Sequence, residues 1–299
     1  MSGPGGRQSA RSFSGESGEQ MMKPHISVCI PVYQGASTLA ATLRSVLASA
    51  RADFEVVIRD NGSTDGTSDV IAGFDDPRIR HIRSEETLPL PANWRATVEQ
   101  AHGELIKVVC ADDLIRPECL ASQAALLEDP TVALVACRRD FIDGNGDVLT
   151  RNAGLPGLLG RHGVSEVARV AVRFGINPVG EPACVMFRRR DYDAIGGFDG
   201  TIVFAMDIDA WLRILTRGDM IGQPEAHAAF RMWTESFSNS HNRQQLGEHL
   251  RFLKQVANDP RYEIPAVLRH LGPAAAHVSW RAWAVRQWLW GRRSTSKVG

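Results

Sequence analysis

Short apolar runs rich in β-branched residues alternate with helix-like patterns in the first half of the chain. The runs cover residues 26–32, 54–59, 78–82, 105–110 and 132–136, and helix-start signals or helical apolar spacing separate most of them. Strands joined by helical crossovers pair in parallel, and a parallel sheet needs helices on both of its faces. The alternation therefore predicts an α/β fold, in which a Rossmann-like, mostly parallel sheet is sandwiched by helices.

Length and composition bound the number of domains. With 299 residues, of which 43% are hydrophobic, the chain can bury the core of one large α/β domain or of two small ones. Neither an internal repeat nor a linker-like stretch occurs within 23–256, so we interpret that range as a single domain. Ten of the first twenty residues are Gly or Ser, which predicts that residues 1–22 form a disordered tail.

The charge balance and the cysteine content indicate which partners and which cellular compartment suit the protein. The 34 basic and 34 acidic side chains give a formal net charge of zero, so no overall positive field favours nucleic acid as a partner. The five cysteines lack metal-binding spacing and fit reduced core thiols in a cytoplasmic protein. No uninterrupted apolar stretch reaches the roughly 18 residues that a membrane-spanning helix requires.

The last part of the chain, residues 257–299, differs in character from the rest. From residue 264 onward it contains six Lys or Arg and no Asp or Glu. The same helix-compatible segment contains Trp280, Trp283, Trp288 and Trp290. This basic, Trp-rich helical tail either packs on the domain or makes peripheral contact with an anionic membrane, because basic residues and Trp on one helix are typical of interfacial binding. The second alternative places the protein at the inner face of the membrane.

Polar segments follow the ends of three predicted strands, at 31–35, 60–67 and 111–113. In a doubly wound sheet, the carboxyl ends of the strands open into one crevice where ligands bind. Asp112 and Asp113 would bring two hard oxygen donors to that crevice, which suits Mg²⁺ or Mn²⁺. Each of these carboxylates could instead be a turn residue that bonds its own backbone.

A second acidic pair lies far along the chain. Asp207 and Asp209 stand at the start of a predicted amphipathic helix at 206–216. Carboxylates at a helix start can also act as N-terminal caps or interact with the helix dipole. The position alone therefore leaves a structural and a functional interpretation open.

Taken in order, three segments resemble the nucleotide-sugar-binding half of family 2 glycosyltransferases of the GT-A fold: Ile26–Tyr33, Glu55–Gly66 and Gly103–Asp113. Ile195–Asp199 and Asp207–Arg213 resemble the acceptor half of the same family. The resemblance covers about residues 24–240. It implies a single GT-A catalytic domain and an enzyme that moves a sugar from a nucleotide-diphosphate sugar to an acceptor hydroxyl with inversion. The implied pathway is cell-surface polysaccharide or glycolipid synthesis.

On the donor side, the resemblance implies a role for five residues. Pro31, Val32 and Tyr33 would line the nucleotide base and ribose, and Asp60 with Asn61 would meet a uracil-type base. Asn61 replaces a frequent Asp of the family, and its carbonyl can still accept a base N–H although it brings no charge. The implied donor is a UDP-sugar, with dTDP- and GDP-sugars as alternatives.

The resemblance also implies which groups take part in the reaction. Asp112 would contact the ribose or the metal-bound nucleotide, and Asp113 would be the direct ligand of Mn²⁺ or Mg²⁺. Such a metal neutralises charge on the leaving diphosphate, while a carboxylate on the other side accepts the proton of the acceptor hydroxyl. Asp207 takes the position of that base, with Asp209 as the alternative. Trp233 stands where the family often has a metal-assisting His.

The implied acceptor is a glycan or a lipid-linked saccharide, and Glu181 is either a contact to it or a turn residue. Two rival functions share parts of this site. A non-catalytic sugar-nucleotide-binding protein would keep the acidic pair at 112–113 but would lack a working base. A nucleotidyltransferase would carry an early Gly-rich, basic phosphate loop, whereas Arg44 is the one basic residue within 30–50.

Overall fold

The structure is a computed structural model that describes residues 24–51, 53–232 and 242–295. The strands of this part are β1 (Ile26–Val32), β2 (Phe54–Asp60), β3 (Ile79–Arg83), β4 (Leu105–Val108), β5 (Leu114–Ile115), β6 (Val132–Ile142), β7 (Val148–Ala153), β8 (Gly160–His162), β9 (Val185–Arg188) and β10 (Asp219–Arg231). Its helices are α1 (Leu39–Leu47), α2 (Thr67–Ala72), α3 (Leu90–Glu99), α4 (Cys119–Leu126), α5 (Val164–Phe174), α6 (Arg189–Ala194), α7 (Met206–Ile214), α8 (Asn242–Asn258) and α9 (Ala266–Thr295). The predicted tail at 1–22 and the position of Trp233 lie outside the described residues.

Strand β1 is the centre of a parallel half-sheet with the order β3-β2-β1-β4. Ile26 pairs with Phe54 of β2 and with Leu105 of β4, so these three strands begin at one level. Every residue of β1 and β4 is buried, as expected of strands covered on both faces. Because α1, α2 and α3 form the crossovers between these strands, their carboxyl ends all lie at the same edge of the sheet.

The second half of the sheet is mixed. β9 lies between β4 and β6 and is antiparallel to both, whereas β10 is parallel to β6. The loop at 143–147, Asp-Gly-Asn-Gly-Asp, predicts a hairpin turn, and β7 folds back on β6 through it. The predicted α/β fold is confirmed, but parallel pairing in the described part of the chain is limited to β1–β4 and to the pair β6 and β10. A helical crossover between two strands predicts that they pair in parallel. A hairpin turn, rather than a helix, joins β6 to β7, so these two strands are antiparallel.

Three element boundaries differ from those that the sequence predicts. Pro91 predicts a helix at 92–102, whereas helix α3 starts two residues earlier, at Leu90, with Pro91 in its first turn, where a missing N–H costs no hydrogen bond. Strand β6 continues past its predicted end at residue 136 to Ile142. The apolar run at 183–187 predicts a strand, but a short 3-10 helix, Pro182–Cys184, replaces its first part.

The C-terminal helix α9 packs against α5 at close range. Gly175 follows α5 with a φ of 63°, and a Cβ atom on it would lie 2.2 Å from the Cα atom of Ala276. The hydroxyl of Ser279 donates to the carbonyl of Phe174 at 2.5 Å. The predicted boundary between residues 256 and 257 falls inside α8. Within the described residues, no helix combines the length and the hydropathy needed to cross a membrane.

Candidate active site

The predicted donor segments meet at one edge of the sheet. Val32 at the end of β1 pairs with Asp60 at the end of β2, and Val109, just beyond β4, bonds the carbonyl of Cys29 in β1. Asp112 follows Val109 by three residues. Since β2, β1 and β4 are neighbours, the structure brings Tyr33, Asp60 and the acidic pair to adjacent strand ends, as the parallel arrangement requires.

Asp60 is fully buried, and its carboxylate organises the loop that follows β2. One oxygen accepts from the N–H of Ser63 at 2.8 Å. The other accepts from the Ser68 hydroxyl at 2.6 Å and from the Arg83 guanidinium at 2.7 Å. Burial alone would raise the pKa of Asp60, but the hydrogen bonds from Ser63 and Ser68 outweigh it and the pKa is lowered. Asp60 is therefore an ionised anchor for this loop.

The side chain of Asn61 links β2 to the loop that leads into α3. Its carbonyl oxygen accepts from Arg59 at 3.0 Å and from the N–H of Leu88 at 2.9 Å, and its amide donates to the carbonyl of Leu88. Because Asp60 and Asn61 use these atoms within the protein, their contact with a base stays a prediction. Pro31 and Val32 are also buried, whereas Tyr33 is 53% exposed beside them. Tyr33 is thus the predicted base-lining side chain that is open to solvent.

The acidic pair after β4 lies in a largely buried turn. Asp113 is fully buried; its Oδ1 accepts from the N–H of Arg231 at 3.2 Å, and its Oδ2 has no hydrogen-bond partner among the described residues. Arg231 also donates to the carbonyl of Asp112 at 3.0 Å. Burial raises the pKa of both carboxyl groups, and for Asp113 the neighbouring Asp112 raises it further.

This turn fits a divalent cation. One ligand atom each from Cys110, Asp112 and Asp113 lies within 4.8 Å of the other two. The buried Oδ2 of Asp113, which none of the described residues engages, is free to bind a cation, and carboxylate oxygens suit Mg²⁺ or Mn²⁺. Burial and the two aspartates raise the pKa of the Cys110 thiol well above its ordinary value. Sulfur is a soft ligand, whereas Mg²⁺ and Mn²⁺ prefer oxygen, so the carboxylates are the better ligands of the three.

Asp207 and Asp209 differ in their surroundings although both lie in the first turn of α7. The carboxylate of Asp207 accepts from the Asn177 amide at 2.9 Å and borders the same cavity as Cys110. Asp209 instead pairs with Arg213 one helical turn later, at 2.6 Å, and Arg213 also donates to two backbone carbonyls. The cavity lining does not include Asp209. Of the two predicted base candidates, Asp207 faces the open space.

The environment of Asp207 adjusts its acidity. Burial raises its pKa to about 7, the nearby Glu181 adds to the rise, and hydrogen bonds from Ile208 and Asn177 oppose it. Glu181 also borders the cavity, where it forms a partly buried ion pair with Arg139. Sequence reasoning missed Arg139 and Asn177, because their relation to α7 exists only in three dimensions.

A family model now decides the class of protein. The model described as "Glycosyl transferase family 2" matches residues 27–196, which include the acidic pair and Glu181. The chain belongs to this family. The predicted family and the predicted enzyme class, a glycosyltransferase, are thereby confirmed.

Related sequences agree with this assignment. The uncharacterized protein MT1568 of Mycobacterium tuberculosis is 31% identical over 277 residues, which span 89% of the glycosyltransferase chain and 83% of the relative. The O-antigen biosynthesis protein RfbC of Myxococcus xanthus is 26% identical over 216 residues, spanning 65% of this chain and 16% of the relative. The similarity to RfbC is therefore limited to a small part of that longer protein.

Structural similarity to solved proteins establishes the fold. The mannosyltransferase PcManGT of Pyrobaculum calidifontis, in complex with GDP-Man and Mn²⁺, has a TM-score of 0.62 at 20% identity and matches 93% of this chain and 82% of its own. Residues 1–349 of TarS from S. aureus, in complex with UDP-GlcNAc, have a TM-score of 0.61 at 16% identity, with 83% and 70% of the two chains matched. The glycosyltransferase has the predicted GT-A fold.

Proposed function

We propose that this glycosyltransferase moves a sugar from a nucleotide-diphosphate sugar to an acceptor hydroxyl with inversion, in the synthesis of a cell-surface polysaccharide or glycolipid. The observation that carries the proposal is a cavity that Asp207 and Cys110 both border, where ligand atoms of Asp112 and Asp113 lie within 4.8 Å of the Cys110 sulfur. Donor binding by PcManGT and TarS and the name of RfbC support the substrate class and the pathway.

On the donor side, Asp113 and Asp112 would hold Mn²⁺ or Mg²⁺. When bound, such an ion acts as a Lewis acid that neutralises charge on the departing nucleoside diphosphate. Arg231 fixes the turn, because it donates to the backbone of Asp112 and its own N–H binds Asp113. Tyr33 is exposed at the neighbouring strand end, where its ring can cover a nucleotide base. A UDP-sugar is the donor we expect first, with dTDP- and GDP-sugars as alternatives.

On the acceptor side, Asp207 would accept the proton of the attacking hydroxyl. A pKa of about 7 keeps a large fraction of the carboxyl group ionised at neutral pH and still makes it a better base than an ordinary aspartate. Asn177 orients the carboxylate through its amide. Glu181, the other carboxylate in the cavity, is engaged by Arg139. Among the described residues that line the cavity, Asp207 is the one carboxylate without an ion-pair partner, which favours direct displacement with inversion of the anomeric centre.

The decisive experiment measures nucleotide release over a panel of UDP-, GDP- and dTDP-sugars with Mn²⁺ or Mg²⁺. We expect turnover that EDTA abolishes and that Asp113→Asn lowers by about 100-fold or more, since the metal supplies several kcal/mol of charge stabilisation. Asp75→Asn, at an exposed aspartate, is the matched control and should leave turnover unchanged. Metal-independent turnover, or full activity of Asp113→Asn, would contradict the metal role. Tight donor binding without turnover would indicate the non-catalytic alternative, and consumption of a nucleoside triphosphate would indicate a nucleotidyltransferase.

We further propose peripheral contact with an anionic membrane through the outer face of α9. Val267, Leu271, Val278 and Val285 are 67%, 55%, 68% and 58% exposed, and their spacing of four or seven residues places them on one face. The segment from residue 264 onward carries no acidic side chain, which complements anionic lipid. The tail prediction based this contact on Trp, but Trp283 and Trp290 pack on Phe141 at 5.5 and 5.4 Å between ring centroids. The apolar stripe, not these tryptophans, is the face proposed to meet lipid.

A further inference from the structure

Helix α9 forms one wall of the catalytic cavity, whose volume is about 650 Å³. Trp280 and Trp283 of α9 line this wall and are half-buried. Phe141 of β6 and Phe230 of β10 line it from the sheet side. The ring of Phe141 lies 5.5 Å from that of Trp283 and 6.0 Å from that of Phe230, measured between centroids. Three of these rings are in contact, and with Trp280 on the same side of the cavity they form an aromatic wall from three elements.

The polar groups beside Asp207 cluster at one end of the cavity, and this arrangement indicates the kind of ligand that binds there. Asp207, Asn177 and the ion pair of Arg139 with Glu181 form one polar end. Nη1 of Arg139 is buried there and has no hydrogen-bond partner among the residues that the structure describes. This end offers a base and a free donor, which suits the hydroxyl groups of a sugar.

Three polar side chains at the aromatic wall have contacts within the protein. The hydroxyl of Ser279 donates to the carbonyl of Phe174, and a ring nitrogen of His249 lies 3.1 Å from the carbonyl oxygen of Gly175. The guanidinium of Arg286 lies over the ring of Trp290, 5.9 Å from its centroid. The wall therefore offers mainly carbon surface to a ligand. A sugar placed entirely against it would lose hydrogen bonds to water without gaining partners, whereas an apolar group would gain from burial.

We infer that the acceptor is a glycoside with an apolar aglycone, in which the sugar lies at the polar end beside Asp207 and the aglycone lies on the aromatic wall. This assignment rests on the proposed function, since Asp207 is the proposed base. The volume is in the range of about 300–1,000 Å³ that pockets for drug-sized ligands occupy, which accommodates a sugar with an attached chain or ring. Because α9 supplies two of the aromatic rings, the C-terminal helix belongs to the acceptor site.

Equilibrium binding tests this inference without any turnover. The full chain is titrated with methyl, octyl and phenyl glycosides of the same hexoses, and Kd is measured by calorimetry. We expect the octyl or the phenyl glycosides to bind at least about 10-fold more tightly than the methyl glycosides, since burial of several CH₂ groups supplies that difference. The two arms distinguish an aliphatic from an aromatic aglycone. Equal Kd values for all three would overturn the inference.

Variants of α9 test whether the aromatic wall causes the tighter binding of octyl glycosides. Trp283→Ala should reduce the methyl-to-octyl ratio of Kd to about 3 or less, and Trp283→Phe should retain most of this ratio, because a ring remains at the wall. His277→Ala removes a ring from the exposed side of the same helix and is the matched control. Thermal unfolding checks that each variant is folded. An unchanged ratio in folded Trp283→Ala would also contradict the inference.

Failure of this inference and failure of the proposed function can be told apart. Hydrolysis of the nucleotide-sugar in the absence of acceptor reports on the donor side alone, and His277→Ala should leave it unchanged. Donor hydrolysis together with equal glycoside binding would overturn the acceptor class and keep the proposed function. Preferential octyl binding without any donor turnover would support the acceptor class and contradict the enzyme mechanism.

Discussion

At the scale of single residues, Asp207 and Asp209 show what a motif alone leaves open. Both lie in the first turn of α7, and the family resemblance implies Asp207 as the base with Asp209 as the alternative. Asp209 could have been recognised as structural, since Arg213 follows four residues later and such pairs form salt bridges on a helix. The partners of Asp207, namely Asn177 and Glu181, lie about 30 residues upstream and meet it only through folding. Its raised pKa could not be predicted from the sequence.

Replacement of the proposed base should abolish turnover without abolishing donor binding. We expect Asp207→Asn to lower kcat by about 100-fold or more, because general-base catalysis contributes on that order. The rate of the unmodified enzyme should fall as the pH is lowered through about 7, where Asp207 becomes protonated. Asp209→Asn is the matched control. It should lower Tm and leave the pH dependence of the rate unchanged. Near-normal turnover of Asp207→Asn with loss in Asp209→Asn would reverse the assignment.

The same carboxyl group should reduce stability at high pH. Burial raises the pKa of Asp207 in the folded state to about 7 from an ordinary value of 3.8. The folded state therefore binds the proton more tightly than the unfolded state, and stability is lost as the pH rises between these two values. Asp207→Asn lacks this titration, so its gain in the free energy of unfolding should be larger at pH 8 than at pH 5.5, by an amount of at most about 2 kcal/mol. Denaturant unfolding at both pH values measures it, and an equal difference at the two would contradict the raised pKa.

At the scale of elements, α8 fixes the loop that enters α7. The carboxylate of Glu248 accepts from three consecutive backbone N–H groups, those of Val203, Phe204 and Ala205. This loop immediately precedes the turn that carries Asp207. A single side chain of α8 thus determines where α7 begins.

Loss of the Glu248 carboxylate should misplace the base. Glu248→Ala leaves three N–H groups without this acceptor, at a cost of about 1–3 kcal/mol for each one that stays buried and unpaired. We expect Tm to fall by several degrees and kcat by about 10-fold, since a small displacement of a reacting group is costly. Glu248→Gln keeps one acceptor oxygen, so its Tm and kcat should lie between those of the unmodified enzyme and those of Glu248→Ala. Unchanged kcat in Glu248→Ala would show that α7 is held independently of α8.

The close approach of α5 and α9 gives a second prediction for elements. Gly175→Ala places a methyl group within 2.2 Å of the Cα atom of Ala276 and should displace α9. Gly157→Ala is the matched control, because Gly157 has a similar φ of 71° and no atom within 4 Å of its Cβ position. The control should lose about 1 kcal/mol of stability from backbone strain alone. Gly175→Ala should lose clearly more and should change the intrinsic Trp fluorescence; equal losses would contradict the tight packing.

The half-sheet of β1 to β4 could be predicted because its evidence is local. Continuous apolar runs, helix starts and polar strand ends are all contained in short windows, and they lead directly to the edge where Asp60 and Asp113 lie. The second half depends on long-range pairing. β9 lies between β4 and β6, more than 40 residues from either in sequence, and no local pattern selects those neighbours. The aromatic wall is invisible for the same reason, since its rings come from β6, β10 and α9.

At the scale of the whole molecule, the apolar stripe on α9 predicts reversible binding to anionic vesicles. We expect full-length protein to float with phosphatidylserine-containing liposomes and not with neutral ones, less so at high salt. Val278→Asp with Val285→Asp should abolish flotation, because it adds two negative charges to the stripe. Ala72→Asp with Ala125→Asp adds the same charge at exposed positions of α2 and α4 and is the matched control. Equal flotation of the two double variants would remove the membrane proposal.

The contact between Gly175 and Ala276 limits how this enzyme can be recombined with its relatives. A helix borrowed from another family member would meet α5 at a point where not even one additional methyl group fits. The natural unit for exchange is thus α5 together with α9, although about 90 residues separate them in the chain. In a chimera joined at residue 257, α9 would come from the relative and α5 from this enzyme. The new α9 would then lack the α5 surface against which it packs in its own protein. Engineers who wish to alter acceptor choice should graft both helices as a pair.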